Sequence, residues 1–367
     1  MIDADFPAGY QVEVADVNGD GKPDIVGVGG ATCAWYENPS WKKRIIAGAK
    51  QTPGIISSAT ADLDRDGKAE VAIAYDFEMN RPRRGKLALA TQGATADAPW
   101  TLRPIATIQS IHRLRWGDID GDGQPELVVA PIFGPTAAPP SYDQAPATLV
   151  VFRAGFQPKA GNWIMEVVGD RPVLHAIEVR DLGEPGHASI LTASNLGVSM
   201  YSQRAGTLDW RRIDLTAGAP GRAPKRGSSE VHLGKLADGR RFVATIEPWH
   251  GSEVAVCLGE TPGALKFGPR AVPDDTLDDG HALWVADFDG DGDDEILAGH
   301  RGRDARVSAF DFERASKTWT RTVVDRAITA QDLRGGDLDG DGTPDAVAIG
   351  GKSHNIVWYR PLRAASK

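Results

Sequence analysis

The sequence predicts an all-β fold, a seven-bladed β-propeller of four-stranded blades whose ring is closed by the N-terminal strand. Three observations carry this. An acidic motif recurs along the 367 residues. Glycine (42) and proline (24) are abundant, which suits short strands and tight turns better than long helices. The repeating unit spans roughly 45 to 65 residues, room for four strands, and self-similarity at such a period marks a solenoid or a propeller. Hexapeptide or nonapeptide periodicity is absent, which removes the β-helix. A closed ring leaves only short, protected edges, so residues 1–367 are read as one propeller domain.

The units follow in order. The first acidic turn places Asp16, Asn18, Asp20 and Asp24; the second Asp62, Asp64, Asp66 and Glu70; the third Asp118, Asp120, Asp122 and Glu126. Two weakened copies fill the long interval that follows, one around Asp181 and one in which Gly234 takes the first-Asp place and Asp238-Gly239 the turn. The sixth turn carries Asp287, Asp289, Asp291 and Glu295, and the seventh Asp337, Asp339, Asp341 and Asp345. A period-two strand enters each turn and an apolar strand leaves it; segments such as ATCAWYE and RVSAFDF form the third strand. Trp41, Trp100, Trp163, Trp210, Phe267 and Trp319 mark the fourth strand in the first six units. The seventh unit stops after NIVWYR, and residues Ile2 to Phe6 are expected to supply its missing strand.

A formal charge of −9, with no extended Lys/Arg cluster, argues against nucleic acid as a partner, and no transmembrane run is present. The opening MIDADFPAGY lacks the basic and apolar regions of a signal peptide, so the chain is expected to be a secreted or periplasmic protein without its leader, with a cytosolic protein as the alternative. Cys33 and Cys257 are too few and too distant in sequence to define a disulfide.

Oxygen donors at positions 1, 3 and 5 of each turn, glycine at 6 and a carboxylate at 9 match the demands of Ca²⁺. The first half resembles an EF-hand loop, but β-strand residues follow where a helix would begin. Uncompensated carboxylates so close together repel one another, so structural Ca²⁺ is the expected cofactor of all five full turns. These turns resemble the FG-GAP/VCBS repeats of integrin-type and lectin-type propellers. The resemblance implies fold and cation, not activity, because such propellers serve as adhesion modules, lectins, lyases and dehydratases.

Counting six positions back from the first acidic place of each unit gives Tyr10, Ile56, His112, His175, Ser228, His281 and Gln331. Three of the eight histidines thus share one register, at the entry end of the innermost strands. Antiparallel pairing returns the end of the second strand to the same face, where His250, His300 and His354 lie. The two longest insertions, Asp76 to Lys86 and Pro131 to Thr148, fall there as well, and variable loops on a rigid scaffold are where chemistry usually sits. His112, His175, His250, His281, His300 and Tyr142 are therefore the candidate catalytic residues, and Arg113, Trp249, Arg301 and His354 the candidate substrate-binding ones. His187 and His232 fall outside the register.

Neutral imidazoles around an open position describe a site for a second divalent metal, Zn²⁺, Mg²⁺ or Mn²⁺, acting as a Lewis acid on a carbonyl. Without metal the same groups serve as general base and acid. Both routes suit proton removal α to a carbonyl with loss of a β-oxygen leaving group. The segments HRLRWGDIDGDGQPELVVAPIFG and HALWVADFDGDGDDEILAGHRG are similar to the propeller domain of aldos-2-ulose dehydratases, enzymes that dehydrate keto-sugars such as 1,5-anhydrofructose. The resemblance implies a keto-sugar or glycan substrate, functional places for His112, His281 and His300, and a loop around Tyr142 overhanging the funnel. It covers the propeller and not the jelly-roll domains of those enzymes, so the isomerising half of their pathway is not expected. The alternatives are a polysaccharide lyase, which needs an arginine to neutralise a uronate, and a non-catalytic glycan- or protein-binding propeller, which would repeat its contacts in most blades.

Overall fold

The computed structural model describes residues 1–81, 83–155, 159, 161–182, 187–204, 206–207 and 209–361. Among these, six four-stranded antiparallel meanders and one three-stranded sheet run in chain order. Their innermost strands are Gly9–Ala15, Ser57–Ala61, Ile111–Gly117, Ala176–Asp181, Glu230–Lys235, Gly280–Ala286 and Ala330–Gly336. Each touches the next around a ring, and the seventh touches the first. The all-β, seven-bladed propeller is therefore the fold of this chain.

The ring closes as expected in place but not in form. Ile2 donates its N–H to Ile356 O (2.9 Å) and Ile356 returns one to Asp3 O (2.9 Å), a single bridge against the last strand, Ile356–Tyr359. The ladder stops there because the Asp3 carboxylate accepts the Asp5 N–H (2.8 Å), a local turn that bends the chain away. The expected fourth-strand aromatics hold their places: Trp163, Trp210 and Phe267 begin fourth strands, Trp319 is second in its strand, and Trp41 and Trp100 immediately precede theirs.

Seven apolar clusters fill the seven gaps between neighbouring blades. A blade buried on both faces explains why the second strands, such as Asp24–Gly29 and Glu295–His300, are buried at every position instead of alternating. An eighth cluster, Ile132, Phe133, Ala137, Val173 and Trp249, lies under the long insertions, with Phe77 and Tyr142 packed against it. A two-stranded hairpin, Ala219–Arg222 with Lys225–Gly227, adds to the same face and was not read from the sequence. Lys225 Nζ donates to Trp249 O (2.8 Å) and His250 O (3.3 Å), which fixes the loop carrying His250.

One backbone device turns two of the three register histidines to the axis; the third, His175, lies just ahead of its strand, whose pairing is regular. The pairing of first and second strands skips a residue between Gly9 and Gln11, Ile111 and Arg113, Gly280 and Ala282, and Ala330 and Asp332. The skipped residues are Tyr10, His112, His281 and Gln331. A bulge turns one side chain out of the pleat, and here it recurs at the same count from the acidic turn, aiming each of these residues at the propeller axis.

Candidate active site

The three register histidines are fixed by carbonyl groups of the following blade. His112 Nδ1 lies 3.0 Å from His175 O, His175 Nδ1 3.0 Å from Ser229 O, and His281 Nδ1 2.6 Å from Gln331 O. A carbonyl only accepts, so each Nδ1 carries the proton and each Nε2 presents a lone pair. Those lone pairs face one another. Tyr10 Oη stands 2.9 Å from His112 Nε2 and 3.5 Å from His281 Nε2, and His175 Nε2 is 3.0 Å from His250 Nε2. Ring centroids lie 4.9 Å apart for His112 and His175, 4.9 Å for His175 and His250, and 5.1 Å for His250 and His281.

His250 has the opposite tautomer. Arg301 donates to its Nδ1 (3.0 Å), so neutral His250 holds its proton on Nε2 and gives it to His175. Arg301 is itself held by Asp279 (2.8 Å) and Gln331 Oε1 (2.7 Å). Burial, and after it the nearby guanidinium and imidazole groups, keeps all four imidazoles well below the ordinary histidine value. They are uncharged at neutral pH, the state required of a base or a ligand.

Not every expected residue joins this group. His300 is wholly buried, but its Nδ1 faces the Asp278 backbone (3.3 Å to N, 3.1 Å to O), which ties the ring to the loop ahead of the inner strand and away from the other four. His354 is exposed on the seventh-blade rim, where its carbonyl accepts the Phe6 N–H (2.8 Å). Tyr142 stacks on Phe133 (4.6 Å, 17°) in the eighth cluster, so its ring serves loop packing instead of overhanging the histidines. Trp249, packed in that cluster too, reaches the site as a wall, 5.1 Å from the His250 ring. Arg113, expected to bind substrate, is 4 % exposed and sits over the Tyr10 ring (5.2 Å), paired with Glu230 (3.5 Å).

Below the histidines the axis is lined by charges that were not singled out: Glu13, Arg115, Glu178, Glu230 and Asp332. Glu230 Oε1 lies 3.1 Å from His175 Nδ1, a carboxylate behind an imidazole that strengthens its basicity. Burial pushes the Asp332 carboxyl up to about 7 against the pull of Arg115 and Arg113. The signal was available: these residues fall three to five places before the same acidic turns, on strands already placed around the axis.

At the opposite face four of the acidic turns share one geometry. The first carboxylate accepts the N–H groups at positions 4 and 6, as Asp118 does from Gly121 (2.8 Å) and Gly123 (3.0 Å), whereas in the second turn Asp62 accepts only that of Gly67 (2.9 Å). The carboxylate at position 9 accepts the N–H at position 2, as Glu295 does from Phe288 (2.7 Å) and Asp24 from Val17 (3.0 Å). Carboxylate oxygens gather within 4.8 Å of one another in four turns: Asp62, Asp64 and Asp66; Asp118, Asp120 and Asp122; Asp287, Asp289, Asp291 and Glu295; and Asp337, Asp339 and Asp345. In the second turn Lys159 Nζ lies among Asp64 (2.7 Å), Asp66 (2.9 Å) and Glu70 (3.1 Å). The weakened copy at Gly234 turns tightly, with Gly239 N donating to Leu236 O (2.8 Å). The turn of the copy after Asp181 lies outside the described residues.

Comparison with known proteins agrees with this architecture. Residues 87–260 match the family model "Aldos-2-ulose dehydratase, beta-propeller domain", and residues 16–73 match that of the FG-GAP-like repeat. Aldos-2-ulose dehydratase of Phanerodontia chrysosporium is 24% identical over 368 residues, covering 89% of this chain but 39% of that protein, so the chain spans about two fifths of its relative's length. Among solved structures, an Agrocybe aegerita lectin that recognises non-reducing terminal N-acetylglucosamine aligns with a TM-score of 0.54 at 15% identity, covering 87% of this chain and 81% of that one. A candidate 6-phosphogluconolactonase of Bacteroides fragilis aligns with a TM-score of 0.57 at 12% identity, covering 96% and 91%. At such identities the two structures share the fold alone. The chain is a seven-bladed propeller, similar over residues 16–73 to the FG-GAP-like repeat and over residues 87–260 to the propeller domain of aldos-2-ulose dehydratase.

Proposed function

We propose that the histidine face catalyses elimination of water or an alkoxide β to the carbonyl of a keto-sugar. The observation that carries this reading is the convergence of neutral imidazole Nε2 atoms, with tautomers fixed by their Nδ1 partners, beside a phenol and a proton-bearing His250. A base and an acid within one pocket are what removal of an α-proton and loss of a β-oxygen require. The relationship to aldos-2-ulose dehydratase supports it.

Charge balance at the histidines favours an uncharged sugar over a polyuronate. Arg113 is paired with Glu230, Arg301 with Asp279, and Arg306 with Asp274, so these three buried or half-buried arginines are already neutralised. A lectin reading finds less support, because the imidazoles occupy one arc and do not recur in the first two blades. The test is incubation with a neutral 2-keto or 3-keto sugar. An ultraviolet-absorbing enone is expected, and its absence across such substrates refutes the reading.

His175, His250 and His281 place three nitrogen ligands within 4.8 Å, a spacing that fits a divalent cation with an open position. His250 joins such a set only when its proton moves to Nδ1, which gives up the bond from Arg301 and turns towards Asp279 Oδ1 at 3.6 Å; a metal so held would also occupy His281 Nε2, so metal ligation and a free His281 base are alternative states of the site. A metal bound there supplies Lewis acidity towards a carbonyl oxygen. His175 and His281 keep their Nδ1–H bonds in either state.

At the other face the converging carboxylates are proposed to hold Ca²⁺. Lys159 competes for the second turn, because its ammonium lies within reach of three of the four acids there. Replacing Lys159 by Ala is expected to raise the number of Ca²⁺ ions bound per chain by one in isothermal titration. An unchanged stoichiometry would mean that the lysine does not exclude the metal.

A further inference from the structure

The geometry points to Tyr10 as the general acid of the elimination, protonating the departing oxygen; this rests on the function proposed above. Tyr10 occupies the first-blade place of the histidine register, and its bulge aims it into the same pocket. Its ring is half-buried, so the hydroxyl is held by protein and still open to a ligand.

The hydroxyl stands between two lone pairs, His112 Nε2 at 2.9 Å and His281 Nε2 at 3.5 Å. Both histidines have given their Nδ1–H groups to carbonyls, so neither Nε2 has a proton to donate to Tyr10. Arg113 Nη1 also donates to His112 Nε2 (3.3 Å), so with the phenolic hydrogen on the nearer His112 it is His281 Nε2 that stays free as a base. Acid and base are thereby adjacent without cancelling each other. The Arg113 guanidinium, 5.2 Å from the ring centroid, puts positive charge beside the oxygen that becomes a phenolate.

The proton inventory closes on these groups. His281 Nε2 takes the α-proton, the C–H electron pair becomes the new C=C bond, and the C–O bond to the β-carbon breaks. Tyr10 gives its hydrogen to that oxygen, which leaves as water. The imidazolium Nε2–H then returns a proton to the phenolate across the 3.5 Å separation, restoring both residues. No redox partner is consumed.

The test compares Tyr10→Phe with wild type on two neutral keto-sugars, one with a β-hydroxyl and one with a β-fluorine. Fluoride leaves without prior protonation and so needs no acid. The variant should lose about 10² to 10⁴ in kcat on the hydroxyl substrate, the usual worth of a positioned acid, and stay within about 10-fold of wild type on the fluoride. Equal losses on both substrates assign Tyr10 a structural part and overturn the inference. Full retention on the hydroxyl substrate overturns it as well, while leaving the elimination reading intact. A wild-type protein inactive on both substrates removes that reading and this inference together.

Discussion

His281→Ala is expected to lower the rate of enone formation from a keto-sugar by about 10² to 10⁴, the contribution of a positioned base to proton transfer, while the chain stays folded. The ring is 1 % exposed, yet its Nε2 opens towards the Tyr10 hydroxyl. Its orientation comes from one short bond to a backbone carbonyl, Gln331 O, which side-chain substitution at 331 leaves in place. Gln331→Ala should therefore cost less than His281→Ala. The pH profile follows from the sign of the perturbation. Burial and Arg301 depress the histidine, so the neutral, active base persists below the ordinary value of about 6.5, and the rate should stay flat from pH 8 down past that value. His187, outside the register, serves as the control for a histidine lost elsewhere. Unchanged turnover in His281→Ala and His175→Ala would remove the imidazoles from the reaction, and a rate that falls with a midpoint at about 6.5 would show that burial does not depress the base.

The part of this site that could be read in the sequence is the part set by counting. Repetition of the acidic turn defines a common origin for every inner strand, and side chains at equal offsets must lie at equal heights around the axis. That is why His112, His175 and His281 meet, and why Tyr10 and Gln331, at the same offset, meet them. What counting does not give is the bulge. A strict pleat would send alternate residues into the blade interfaces, and the extra residue at this offset turns one side chain towards the axis instead. Residues on second-strand ends and loops obey no such rule. His250 arrives because the hairpin bearing Lys225 holds its loop, whereas His300, carried over by resemblance and by its place on the same face, is captured by the Asp278 backbone. Lys159 lies outside any repeat position, and only the tertiary structure brings it to the second turn.

The same stacking predicts the largest effect on stability. Arg113 is 4 % exposed in the axial channel and lies next to Glu230, with Asp332 close enough to interact electrostatically. Removing one partner of a buried ionic group leaves the other charge without compensation, which usually costs about 3 to 5 kcal/mol. Arg113→Met keeps the volume and deletes the charge, so its unfolding midpoint in urea should fall sharply. Glu230→Gln in the same chain removes the stranded carboxylate, and the double variant should be more stable than the two single changes add up to, by a coupling of about 0.5 to 3 kcal/mol. Strict additivity would show that the two groups do not compensate each other. Retained stability in Arg113→Met would show that water or protonation relieves the carboxylates, as the Asp332 value of about 7 allows near neutral pH. Repeating the unfolding at pH 9 separates these cases: with the carboxylates ionised, a protein relieved by protonation loses its stability, and one relieved by water does not.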